Sequence, residues 1–122
     1  MKTVAVVGAS PQRHKFGNKA LRAFREAGYR VVPITPHHTI VEGEAAYASV
    51  LDYPEPIDMA TVYVPPAVGE RVIESLAQKG ITRVWFNPGA DAEWLLAKAR
   101  ALGLQPVEAC SILAIGKSPM DF

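Results

Sequence analysis

The chain has 122 residues, of which 49% are hydrophobic and 20% charged, with a formal net charge of +1. This is the composition of one globular domain, long enough to hold a real core, and the near-neutral balance argues against a nucleic-acid binder held by bulk charge. The single cysteine, Cys110, excludes an internal disulfide framework and a Cys-based zinc cage, and it fits a reducing, cytoplasmic setting.

The chain enters a strand at once. Val4 to Val7 is a short apolar run bounded by Gly8, the signature of a strand buried on both faces. Gly8-Ala9-Ser10 breaks it, and a basic segment, Arg13-His14-Lys15, follows. From about Asn18 to Ala27 apolar residues recur with helical spacing, and Gly28 is suited to close that helix with a positive φ. Tyr29 to Ile34 reads as the second strand, with Pro33 and Pro36 expected to stop regular pairing. The stretch from Thr39 to Ile57 is weakly patterned. It predicts a turn at Gly43, a short extended piece at Ala46-Tyr47 and one helical turn at Ser49 to Leu51.

Met59 to Val64 is the third strand, ended by Pro65-Pro66. Val68 to Lys79 is a helix stopped by Gly80. Arg83 to Phe86 is the fourth strand, and Ala92 to Leu102 the next helix, with Leu102 inward. Leu104 to Val107 is the fifth strand, and a short helix is expected near Ile112 to Ile115. Trp85, Phe86 and Trp94 are expected in the core, or as the wall of a helix–sheet contact, rather than as a base-stacking platform. No apolar run approaches the ~18 residues of a membrane span, so no membrane partner is expected.

Strands alternating with helices define an α/β domain, a doubly wound, Rossmann-like parallel sheet of five strands within a single domain of residues 1–122. The expected strand order is 3-2-1-4-5. The ligand crevice is expected at the carboxyl ends of strands 1 and 4, where that order reverses. A strand, a glycine turn and a helix also leave N–H groups unpaired at the helix start, where the helix dipole favours anions. The predicted ligand therefore carries phosphate.

The dinucleotide fingerprint G-x-G-x-x-G is absent. The turn reads Gly8-x-Ser10, and the next glycine is Gly17. The second strand ends Ile34-Thr35-Pro36, with no carboxylate for a ribose. An NAD(P)-binding redox or sensing domain is thereby disfavoured, and there is no P-loop.

VAVVGAS at the start, GYRVVPITP in the second strand, EGEAAYASVLDYPEPID in the crossover, TVYVPP in the third strand and GITRVWFNPGA in the fourth resemble the coenzyme A-binding protein family. The resemblance spans nearly the whole chain in order. These are stand-alone Rossmann-like domains similar to the N-terminal domain of the succinyl-CoA synthetase alpha subunit. The resemblance implies coenzyme A, or an acyl-CoA, as ligand. It puts the phosphates on the first turn, where Ser10, Pro11, Gln12 and Arg13 fall. It puts a basic contact after the second strand, at His38, and the adenine and pantetheine against Val64, Pro65 and Pro66. With the neighbouring loop positions, the candidate set is Gly8, Ala9, Lys15, Phe16 and Gly17 in the first turn, Pro36 and His37 in the second loop, and Asn87, Pro88 and Gly89 after the fourth strand. Arg13, His14 and Lys15 would supply the charge that a 3′-phosphate adds to a diphosphate.

No residue is assigned to catalysis or to a metal. Cys110 reads as a small buried hydrophobe, and adjacent His37 and His38 make a poor ligand pair. A non-catalytic subunit of an acyl-CoA synthetase-type ligase is the enzyme-linked alternative. That chemistry would need a phosphate-carrying histidine, a second domain and a nucleotide-binding partner. Histidine is the side chain that changes charge near neutrality. If His38 contacts a phosphate, coenzyme A binds more tightly at pH 6 than at pH 8 by titration calorimetry. A flat profile would remove His38 from that role.

Overall fold

In the computed structural model, which describes residues 1–122, Thr3–Val7 forms β1 and is buried along its whole length. Its side chains alternate between two cores. Val4 and Val6 pack on one face with Leu21 and Phe24, and Ala5 and Val7 pack on the other with Ile73 and Leu76. A strand sandwiched this way needs apolar residues at every position, which is why TVAVV does not alternate in polarity.

The helix α1, Phe16–Glu26, begins two residues before its predicted start and lays Ala20, Leu21, Ala23 and Phe24 against the sheet. Gly28 takes φ +95 behind it, and the Tyr29 N–H reaches back to the Phe24 carbonyl. β2, Arg30–Ile34, then pairs in parallel with β1. The crossover holds a two-stranded hairpin, β3 (Ile40–Val41) and β4 (Glu44–Ala45), and one 3₁₀ turn at Val50–Asp52. The remaining elements are β5 (Met59–Val62), α2 (Pro66–Lys79), β6 (Arg83–Phe86), α3 (Glu93–Ala101), β7 (Gln105–Glu108) and α4 (Ser111–Ala114).

The five-stranded parallel sheet has the order β2-β1-β5-β6-β7. Among the five main strands this is 2-1-3-4-5, not the expected 3-2-1-4-5. The third strand, β5, lies between β1 and β6, and all four of its residues are buried, as a central strand requires. The outer edge of β2 is already taken. There the Thr35 N–H donates to the Tyr47 carbonyl, and the Tyr47 N–H donates to the Pro33 carbonyl. Pro33 lies inside β2 rather than stopping it, because its missing N–H points to this outer edge, where no ladder bond is lost. At the opposite edge Pro106 sits in β7 in the same way, since Gln105 donates inward to Thr82.

Two apolar expectations fail at the surface. Leu102 is 44% exposed and Trp94 48% exposed, whereas Trp85 is buried against Phe24. Leu102 caps α3 after its last turn, beyond the buried stripe of Leu95, Leu96 and Ala99. Trp94 lies on the opposite side of that stripe.

The closest approach in the fold joins α1 to the end of β1. A Cβ placed on Gly17 would lie 2.2 Å from the Gly8 carbonyl oxygen. Since that neighbour is backbone, Gly17→Ala must push α1 off the strand. We expect a loss of about 1–3 kcal/mol, the scale of an overpacked core, read as a lower midpoint in urea unfolding. An unchanged midpoint would show that the contact is soft.

Candidate functional site

The order 2-1-3-4-5 reverses between β1 and β5, so the crevice opens there and not between strands 1 and 4 as expected. A cleft of about 1000 Å³ lies at this carboxyl edge. The loop after β1 contributes Gly8, Ala9, Ser10, Gln12, His14, Lys15, Phe16 and Gly17. The loop after β2 contributes Thr35, Pro36, His37 and His38. Tyr63, Val64, Pro65 and Val68 follow β5, and Asn87, Pro88 and Cys110 complete the lining.

Four predicted residues lie off the cleft. Arg13 faces the Glu42 carboxylate at 3.5 Å, behind the loop. Pro11 is exposed, and Pro66 is the first residue of α2. The Gly89 N–H is taken by the Asp91 carboxylate at 3.0 Å. Four lining residues were missed: Thr35, Tyr63, Val68 and Cys110. The first two directly flank predicted loops. Val68 sits one turn into α2, too far along for a loop-based reading. Cys110 is half-buried rather than core; once β7 is parallel, the segment after it must reach this same edge.

The amides of the first loop divide into two groups. The Gly8 and Ala9 N–H groups both donate to the Ile34 carbonyl, so the glycine turn itself offers none. The N–H groups of Ser10, His14, Phe16 and Gly17 have no partner within the chain. Phe16 and Gly17 open α1, where the helix dipole adds to their pull on an anion. Gly8 holds φ +91, and a Cβ there would come within 3.1 Å of Val64 Cγ1, so glycine keeps the two loops in contact. Lys15 stands among these amides with no carboxylate partner.

Behind the loop the polar groups are braced. Fully buried Asn18 donates to the Ser10 carbonyl at 2.8 Å and to Glu42 at 3.2 Å, and its oxygen accepts from Arg22 Nε at 2.7 Å. Burial, and then the Arg13 charge, lowers the Arg22 pKa, with Glu42 acting against them. A guanidinium remains cationic through such a shift.

The floor of the cleft is a closed hydrogen-bond network. Asn87 Nδ2 donates to Thr61 Oγ1 at 2.7 Å and to the Val62 carbonyl at 2.9 Å, and its Oδ1 accepts from the Ser111 N–H at 2.8 Å. Ser111 Oγ lies 2.7 Å from Thr61 Oγ1 and 3.0 Å from the Tyr63 hydroxyl. The side chain of Asn87 thus ties β5, β6 and α4 together, and its polar atoms are all engaged. No group of three or more His, Cys, Asp or Glu side chains is placed to hold a metal ion. No helix is long and apolar enough to cross a membrane.

These features define a Rossmann-like domain with a crevice at its switch point that is lined by unpartnered amides. The chain belongs to the CoA binding domain family, whose model matches residues 2–116. Acetate–CoA ligase [ADP-forming] I of Archaeoglobus fulgidus is 35% identical over 80 residues, covering 66% of this chain and 12% of the ligase, so the chain spans a small part of that relative. A conserved hypothetical protein of Pyrococcus furiosus superposes with a TM-score of 0.85 at 30% identity, covering 93% of this chain and 99% of that one. The dinucleotide-forming acetyl-coenzyme A synthetase 1 of Ca. Korarchaeum cryptofilum gives a TM-score of 0.78 at 25% identity, covering 89% of this chain and 26% of the synthetase.

Burial pushes the Tyr63 phenol up from 10.0 to about 12, against the hydrogen bonds from Ser111 and Thr61. The raised folded value means that Tyr63 stabilises the fold fully below the unfolded pKa of 10.0, and that this stability is lost as pH rises through about 12. Of the four tyrosines, one is expected to ionise late in a spectrophotometric titration, and Tyr63→Phe should remove that phase. Four tyrosines ionising together near pH 10 would contradict the closed network.

Proposed function

We propose that this chain is a binding module for coenzyme A or an acyl-CoA, without chemistry of its own. The diphosphate rests on the free amides that open α1, beside Lys15. The observation that carries the reading is this set of partnerless N–H groups and a cation, gathered at the switch point of a chain in the CoA binding domain family. His37 and His38 are candidates for the 3′-phosphate. Val64 and Pro65, beside the first loop on the side away from the second, offer a flat apolar wall to the base. The second strand's lack of a terminal acid favours coenzyme A over NAD. The single cysteine agrees with a cytoplasmic setting.

A second reading has an observation of its own: the curated relatives include the alpha subunit of acetate–CoA ligase [ADP-forming] I of Pyrococcus furiosus, 34% identical over 86 residues. On that reading the chain presents coenzyme A to a separate nucleotide-binding subunit. ATP-dependent ligation on mixing with a candidate large subunit would favour it.

Thermal shift separates these ligands. Coenzyme A should raise the midpoint, dephospho-coenzyme A should raise it less, and NAD should have little effect. Lys15→Ala is expected to weaken coenzyme A by about 1 kcal/mol, the scale of one hydrogen bond. Arg13→Ala, whose guanidinium faces Glu42, should weaken it less. A midpoint shifted by NAD alone would replace this function with a redox or sensing one.

A further inference from the structure

Arg22 lies on α1 outside the cleft, yet it holds the cleft's first loop. Its Nη2 donates to the Arg13 carbonyl at 2.9 Å and to the Phe122 carbonyl at 3.0 Å, while its Nε donates to Asn18 at 2.7 Å. The chain has no cis peptide bond. In a planar trans peptide the C=O and the following N–H point in opposite directions. Drawing the Arg13 carbonyl back toward α1 therefore turns the His14 N–H away from α1. His14 lines the cleft, and its amide has no partner within the chain.

We propose that Arg22 is a positioning residue: by holding the Arg13 carbonyl it aims the His14 amide at the anion received in the cleft. The inference rests on the functional reading above and adds a residue that touches no ligand. Two observations show that the arrangement is built. Asn18, which receives Arg22 Nε, is fully buried and pins the neighbouring Ser10 carbonyl with its own amide. Glu42, which braces Asn18 and faces Arg13, is the one non-glycine residue with positive φ, at +50. A backbone held in that region must be supported by the contacts it makes.

The guanidinium matters for its shape. Arg22 serves three acceptors through a rigid fork, which a lysine ammonium cannot match although it keeps the charge. Arg22→Lys therefore preserves the long-range attraction for an anion and removes the aim. Calorimetry should show coenzyme A bound roughly tenfold more weakly, the loss that follows from one misdirected charge-assisted hydrogen bond. Arg30→Lys at the start of β2, whose guanidinium faces Glu55 far from this loop, should change affinity less than twofold.

A measurement on the wild type needs no variant. In ¹⁵N-edited spectra the His14 amide should shift on addition of inorganic pyrophosphate or coenzyme A, and in Arg22→Lys that shift should shrink. Wild-type affinity in Arg22→Lys, an equal loss in Arg30→Lys, or a His14 amide unmoved by either ligand would each overturn the proposal. A wild type that shifts with pyrophosphate but does not bind coenzyme A would keep this role for Arg22 and remove the functional reading instead.

Discussion

The structure depends on a contact between two pieces of backbone. The Cα of Gly17 lies so close to the Gly8 carbonyl that no side chain fits between them. That contact fixes where α1 begins relative to where β1 ends. Every free amide of the first loop is within nine residues of it. Because the helix start is pressed against the strand end, its dipole and its unpaired N–H groups face the switch point and not bulk solvent. The apolar packing of Leu21 and Phe24 holds the helix down, but the two glycines decide its register along the sheet.

The second determinant is the placement of β5. Lying beside β1, it brings Tyr63, Val64 and Pro65 against Gly8, so the free amides of the first loop and the apolar wall belong to one crevice. Had it lain outside β2, the proline loop would have been two strands away from the glycine turn. The network of Asn87, Thr61, Ser111 and Tyr63 then locks the floor and ties the chain's last helix to the central strands.

Much of this was legible in the residues, and the failures have physical causes. The strands showed themselves as apolar runs, and helix ends at Gly28 and Gly80 as glycines with positive φ. Strand order was misread because apolar runs report burial and not neighbours. The discriminating fact, Tyr47 pairing along β2, lies in a stretch with almost no periodicity. Net charge in a loop says nothing of direction: Arg13 is paired with Glu42, which is distant in sequence. The pairing of the Gly8 and Ala9 amides is equally invisible along the chain, because Ile34, which takes both, is on another strand. In each case the sequence carries the group, while a contact between remote segments sets its aim.

The two prolines at the rims of the sheet have a consequence for how copies of this molecule meet. Pro33 and Pro106 each remove a donor from an outward-facing position, and Tyr47 covers part of one rim. A second molecule arriving strand to strand would find an interrupted row of donors on either side. The sheet is thus finite by construction. Each rim is thereby blunted against strand-to-strand addition of a second copy.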